Sequence, residues 1–581
     1  MRLDRKLARH LSKFIRDGGR NRIIGVGLVA LSVLCCGHEV ANAQSCTETV
    51  VAKVVALDQA FYINRYGALQ AGGMVFALER DVVSMDGSNT TLQAGKVMVR
   101  PDKRPRPLTL RVNKGQCLEI QFRNLLSPKP VNQKVDIFPP VPPTGYQPNQ
   151  QQLVPSDGKL EDANGNQSQP PTRYAGVHVA GLEWVSSSTD DGTFVGANDV
   201  AANDLGGKAK LNGLIPPEQA PLNQRITYTL FAAEEGAFLL TSSGTTVGDR
   251  LDFGGQVSEG LFGSVIVQPP TAEYYRSQVS RSELDAATVK SAALPEGWRL
   301  GPAGRACEPY YKQYGDTLRE LTRTPKDPRD PNRGTSCVKL MADGFLYTVG
   351  DQPVINYDAV FGAGTRRAGA PVLSMLGGKR GDARRELVAS DLTAMITGPY
   401  AGMFGPAQPH APNDTYPERQ QPYREFAIHY HDDFMAIQAF AAFRNGGMQY
   451  TLQGGRDFFA INYGMGGIGA IVWANRLQVG PASECATCKF EEFFLSSWPN
   501  GDPAMVVDQP VNVVEHQPPT KTFATKAFYP DDPSNVYHSY LRDHVKFRIL
   551  HAGTNITHVH HQHAHQWLHS PKSGLSAYRD S

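Results

Sequence analysis

In Leu108-Thr-Leu110-Arg-Val112, and again in Leu118-Glu-Ile120-Gln-Phe122, apolar residues occupy every second position. That is the period of a strand with one face in a core. Between them stands Asn113-Lys114-Gly115, the composition of a tight turn. The same period recurs in Ile226-Thr-Tyr228-Thr-Leu230 and in Val545-Lys-Phe547-Arg-Ile549. Gln121-Phe-Arg-Asn-Leu-Leu126 and Lys546-Phe-Arg-Ile-Leu550 are alike, which suggests a repeated β unit. With 56 glycines and 41 prolines punctuating short strands, the pattern predicts an all-β chain of consecutive sandwiches rather than alternating α/β layers.

The 581 residues exceed one ordinary domain of about 150 residues. Pro270 and the stretch from Leu477 to Pro503 are the expected domain edges. The predicted division is a leader at 1–43, sandwiches at 46–270 and 271–490, and a partial sandwich at 491–581. Long polar loops are expected at 149–171, 325–332 and 377–385, the last a small basic cluster that reads as a solvated surface.

Eight basic residues from Arg2 to Arg22, an apolar run from Ile23 to Cys36 and the small-residue site Ala41-Asn42-Ala43 form a secretory leader with cleavage after Ala43. The apolar run falls short of the roughly 20 residues of a spanning helix, so the expected product is periplasmic or secreted, with no membrane segment in the mature form. Of the eight cysteines, Cys35 and Cys36 lie in the leader, leaving Cys46, Cys117, Cys307, Cys337, Cys485 and Cys488. An even number in an exported chain favours disulfides. Cys307 with Cys337, and Cys485 with Cys488, are the candidate pairs. A net charge of +2 selects neither nucleic acid nor an anionic membrane as partner.

Candidate chemistry is concentrated late in the chain. Of 16 histidines, six fall in the twelve residues from His558 to His569, and imidazole suits copper, zinc, iron and nickel. On an extended strand His561, His563 and His565 share a face, with His558 beginning the approach. A loose histidine-rich surface is the bland alternative. A second pair, His429 and His431, also shares one face of a strand-like segment, where an ordinary sandwich strand is the competing reading. Gly464-Met-Gly466-Gly-Ile-Gly469 fits G-x-G-x-x-G but without an evident βαβ unit, so a glycine-rich turn is the better reading.

The spacing His558-x-x-His561-x-His563-x-His565 resembles the H-P-x-H-x-H-G-H motif in the last domain of multicopper oxidases, with Val559 for proline and Ala564 for glycine. Phe547-Arg-Ile-Leu-His-Ala-Gly553 is similar to the strand and turn leading into that motif. Arg106 to Gly115 resembles the family's opening strands, Gly176 to Leu182 its first copper loop, and Gly260 to Val267 the strand after its second. The resemblance implies consecutive cupredoxin-like Greek-key sandwiches, the last incomplete. It implies copper as cofactor, with His558 a type 1 ligand, His561 and His178 type 2 ligands, and His563 a type 3 ligand. His560 and His565, and more distantly His429 and His431, are supporting or extra metal residues, and no catalytic residue is assigned.

Departures from the family pattern are specific. The first loop reads His178-Val179-Ala180-Gly181 where the family has H-x-H-G, and the second places Thr241 and Ser243 where histidines belong. No cysteine is flanked by histidines, and H-C-H does not occur within residues 1–581. That suggests a fragment, a truncated frame, or a domain completed by another polypeptide. The leading expectation is an exported oxidoreductase passing electrons from a small-molecule or metal-ion reductant to dioxygen. The alternatives are a non-catalytic copper-binding protein and a zinc or nickel site at the same cluster.

Overall fold

The two strands flanking Asn113 form, but they enter different sheets. Along the chain of the computed structural model, the strands of the three larger sheets are β1 (Thr49–Asp58), β2 (Met74–Leu78), β3 (Leu108–Asn113), β4 (Cys117–Asn124), β5 (His178–Val179), β6 (Glu183–Trp184), β7 (Ile226–Phe231), β8 (Gly236–Thr241), β9 (Phe262–Gln268) and β10 (Glu273–Tyr275). After a short helix α1 (Arg281–Ala287) come β11 (Leu376–Gly377), β12 (Arg384–Leu387), β13 (Thr393–Thr397), β14 (Tyr423–His431), β15 (Ala460–Ile461), β16 (Gly464–Met465) and β17 (Val545–His551). The structure describes residues 46–128, 173–192, 225–289, 298–300, 336–340, 346–348, 355–398, 422–438, 460–465, 537–568 and 579–580, with short breaks within these spans. Among them α1 is the one α-helix, and the all-β expectation holds.

The first sheet has the order β6-β7-β4-β1-β12-β11, with β2 also on β1. The second runs β3-β9-β8-β5. Their facing side chains form one core. Val50, Ala52, Val54 and Ala56 of β1 and Leu118, Ile120 and Phe122 of β4 meet Leu108, Leu110 and Val112 of β3 and Val265 and Val267 of β9. Alternation at period two thus buries one face of each sheet against the other. The chain crosses between the layers at residues 113–116. There Lys114 N donates to Gln268 O at 2.9 Å and Gly115 N to Ala232 O at 2.8 Å, and Gly115 sits at φ 86°, where glycine avoids Cβ strain.

β1 lies parallel to β4, from Thr49 opposite Cys117 to Ala56 opposite Asn124. That register brings the start of the strand to Cys117, and Cys46 and Cys117 form a disulfide with Cα atoms 5.4 Å apart. Of the candidate cysteines, Cys337 lies on a strand at Ser336–Leu340, and Cys307, Cys485 and Cys488 lie outside the described residues. β1 also pairs in parallel with β12, Thr49 opposite Arg384, so the first sheet spans both sides of the expected edge at Pro270.

The third sheet runs β10-β13-β14-β15-β16, with β17 on β14, and covers the second face of the middle sheet. β3 is buried along its whole length, and Ile266 of β9 packs with Leu392 and Ala427. The polar positions of β3 therefore meet another layer. Arg111 Nε contacts Glu425 Oε1 at 2.9 Å, and both side chains are fully buried. Arg548 Nε reaches Glu425 Oε2 at 3.0 Å, Gln268 Nε2 donates to both oxygens at 2.9 and 2.8 Å, and Tyr423 OH donates to Gln268 Oε1 at 2.7 Å. Desolvation of its charged groups offsets much of the attraction in such a network, so it adds little net stability. β4 beside β1 and β17 beside β14 are both parallel pairs, although β4 also pairs with β7 on its other side.

Candidate metal centre

β17 delivers the histidine segment. It runs parallel to β14 up to the pair Tyr430–His551, and Ala552 N then donates to Tyr430 O at 2.8 Å. The His558 ring centroid lies 5.1 Å from that of His551 and 5.9 Å from that of Tyr430, the latter pair nearly parallel at 21°. The Tyr430 hydroxyl and His560 Nδ1 are 2.9 Å apart, and His560 packs on Trp567 with centroids 5.7 Å apart. Burial, aided by neighbouring His561, lowers the His560 pKa below the ordinary imidazole value and favours the neutral, ligand-competent form.

Exposure alternates along this segment. His558 and His560 are half-buried, whereas Val559, His561 and His565 are exposed. The structure therefore brings His558 and His560 around Tyr430, and leaves His561 and His565 facing outward. His563 lies outside the described residues. A turn closes from His565 N to Gln562 O at 3.2 Å.

His178 begins the two-residue strand β5, with Thr241 of β8 directly opposite. Its Nδ1 is 2.8 Å from Asp191 Oδ1, and Trp184 Nε1 donates to the same oxygen at 3.3 Å. A carboxylate on Nδ1 sets the ring's tautomer so that Nε2 carries the lone pair for a metal. Gly192 makes this loop possible: it sits at φ 73°, and a Cβ there would stand 1.7 Å from Val177 O. β8 in turn packs against β17, so the His178 strand and the strand leading to the histidine segment flank the same element. The hydroxyl of Thr241 occupies the site of one expected histidine, and Ser243 lies outside the described residues.

His429 and His431 are engaged differently. His429 is fully buried, with Nδ1 2.9 Å from Asn462 Oδ1 and Nε2 2.9 Å from Ser264 Oγ. Burial pushes its pKa down to about 4, against a partly opposing bond to Asn462. Both ring nitrogens are occupied by protein, so a metal here would displace one partner. His431 stacks on Phe262, centroids 4.9 Å apart and planes within 4°, and its Nε2 contacts Val257 O at 2.9 Å. Asn462 and Tyr463, at φ 52° and 61°, form the two-residue turn between β15 and β16. The first glycine of the G-x-G-x-x-G match, Gly464, therefore begins a strand after a hairpin turn, and its last four residues lie outside the described residues.

Imidazoles dominate the donors of the region, and that chemistry suits copper. The cysteines whose side chains are described, Cys46 and Cys117, are joined in the disulfide, so the donors that the described residues of this region offer a metal are imidazoles. Among the described residues no three histidine, cysteine or carboxylate side chains converge on one point.

No family model matches the chain, and no curated protein matches it. Among solved structures it is similar to a multicopper oxidase at 17% identity, covering 38% of this chain and 42% of that one, TM-score 0.17. It is also similar to the multi-copper oxidase from Pseudomonas thermotolerans, at 12% identity, 45% of each chain and TM-score 0.18. The copper nitrite reductase from Nitrosomonas europaea gives 12% identity, 38% and 42% coverage, and TM-score 0.17. This chain spans less than half the length of each.

Proposed function

We propose that this chain is an exported copper-binding protein of the multicopper oxidase type, with copper held by His558, His561 and His563 and by His178. The observation that carries this reading is the spacing His558-x-x-His561-x-His563-x-His565, at the end of a strand that packs on β8, which itself pairs with the strand of His178. Bound copper would supply one-electron redox chemistry between a small-molecule or metal-ion reductant and dioxygen. The protein's contribution is to orient the imidazoles: Asp191 holds His178 by Nδ1.

A second reading, a non-catalytic copper-binding protein in the periplasm or outside the cell, is favoured by Thr241 opposite His178, because a hydroxyl is a poor substitute for imidazole at a copper. One experiment addresses both. The chain from Gln44 onward is loaded with Cu(II), desalted, assayed for bound copper by atomic absorption and for oxygen uptake with a phenol or Cu(I) as reductant. His561→Ala with His563→Ala is expected to remove most bound copper. Unchanged stoichiometry would overturn the copper assignment, and absence of oxygen uptake by a copper-loaded chain would select the non-catalytic reading.

A further inference from the structure

We propose that His551 and His558 form a two-imidazole site for a borderline divalent metal, Cu(II) foremost, distinct from the ligands His561 and His563. The inference rests on the reading that the histidine segment takes up copper, and it adds a ligand that lies outside the motif. His551 is the last residue of β17, seven positions before His558.

Ring separation is the first argument. A metal sits about 2.0–2.1 Å from an imidazole nitrogen, hence about 3.2 Å from the ring centroid. Two imidazoles on one ion then have centroids about 4.5 Å apart at a right-angle bite, and about 5.2 Å apart at a tetrahedral one. The His551 and His558 centroids are 5.1 Å apart, with planes at 48°, a separation that matches two imidazoles on one ion.

Preorganisation is the second. Leu550 and Ala552 on either side of His551 are buried, and its backbone is set by the pairing with Tyr430 and by the bond from Ala552 N to Tyr430 O. Tyr430 also stacks on His558 and meets His560 through its hydroxyl. One tyrosine thus positions both sides of the site, and little ordering entropy remains to be lost on binding.

Access is the third. His551 is exposed and Val559 is 88% exposed, so water or an external ligand can fill the remaining positions. An uncharged two-nitrogen set of this kind ranks copper above zinc and nickel.

The test uses the full chain and Cu(II) in the presence of glycine as competitor, comparing His551→Gln, His558→Gln and the double variant His561→Ala, His563→Ala. Circular dichroism establishes folding, and electron paramagnetic resonance reports the nitrogen ligation of the bound ion. His551→Gln is expected to lose one copper equivalent, or to weaken it on the order of tenfold or more, with the signal of that ion altered. The equivalent lost in the His561, His563 variant should persist. If His551→Gln titrates as the parent while the His561, His563 variant loses copper, the paired site is refuted and the motif reading stands. If neither changes copper uptake, both are refuted.

Discussion

Lys546 offers the sharpest test of the buried charge network, because burial acts there directly on its ammonium. Arg111, Arg548 and Lys546 share a buried network with Glu425 and Glu235. The Lys546 Nζ lies 3.6 Å from Glu235 Oε1, with its side chain 14% exposed, and 4.0 Å above the Tyr423 ring. Burial, followed by repulsion from Arg548, outweighs the pull of Glu235 and Glu425 and lowers its pKa from 10.5 to about 8. At about 1.36 kcal/mol per pH unit, that gap corresponds to a penalty on the order of 3 kcal/mol for holding the proton in the folded protein. Below pH 8 the folded state bears the full penalty. Between about 8 and 10.5 the unfolded chain binds more protons, so stability rises with pH. Lys546→Met keeps an unbranched side chain over Tyr423 and removes the charge. It is expected to stabilise the protein by up to about 3 kcal/mol at pH 7, less at pH 9, and not at all by about pH 10.5. Equilibrium urea unfolding followed by tryptophan fluorescence at the three pH values measures this. A variant less stable than the parent at pH 7, or a difference independent of pH, would refute the assignment of Lys546 as an unfavourable buried cation.

The disulfide between Cys46 and Cys117 closes a loop with a sequence separation of 71, for which loop entropy predicts a stabilisation of up to about 4 kcal/mol. Cys46→Ser with Cys117→Ser should lower the urea midpoint accordingly, and an unchanged midpoint would mean that the parallel pairing of β1 and β4 alone fixes this end. His429, buried and neutral with its pKa lowered to about 4, predicts an acid sensitivity of known sign. Stability should fall as pH drops from about 6.5 to about 4, because the unfolded chain takes up the proton that the folded one refuses. His429→Gln should flatten that slope, and a variant as acid-sensitive as the parent would place the cause elsewhere.

The strands on either side of Asn113, and those at Ile226 and Val545, were legible because alternating apolar and polar side chains write a strand's period into the local sequence. Their sheet assignments were not. Val112 and Leu118 read as neighbours across a turn, yet β3 joins β9 while β4 joins β1, since the turn at Gly115 crosses between layers. Arg111 and Arg548 read as the solvent-facing positions of amphipathic strands. They meet at Glu425 because a third layer covers the middle sheet. Cys46 and Cys117 were two of six cysteines with no mark of partnership until the parallel register of β1 and β4 brought them together.

At the site, the histidine spacing was written in the sequence because metal ligands must be particular residue types at particular intervals. Which imidazoles approach one another was not. His551 carried no signal as a lone histidine at a strand end, and gains a partner only because the chain returns past Tyr430 and lays His558 beside it. His429 and His431 stood in the sequence as a secondary candidate pair against an ordinary-strand reading, and Ser264, Asn462 and Phe262 occupy or cover their rings. Local sequence therefore determined strand identity and the kind of chemistry on offer, because periodicity and donor type are properties of neighbouring residues. Tertiary structure decided which donors meet and which are already satisfied, because those depend on contacts between segments that are not neighbours in the chain.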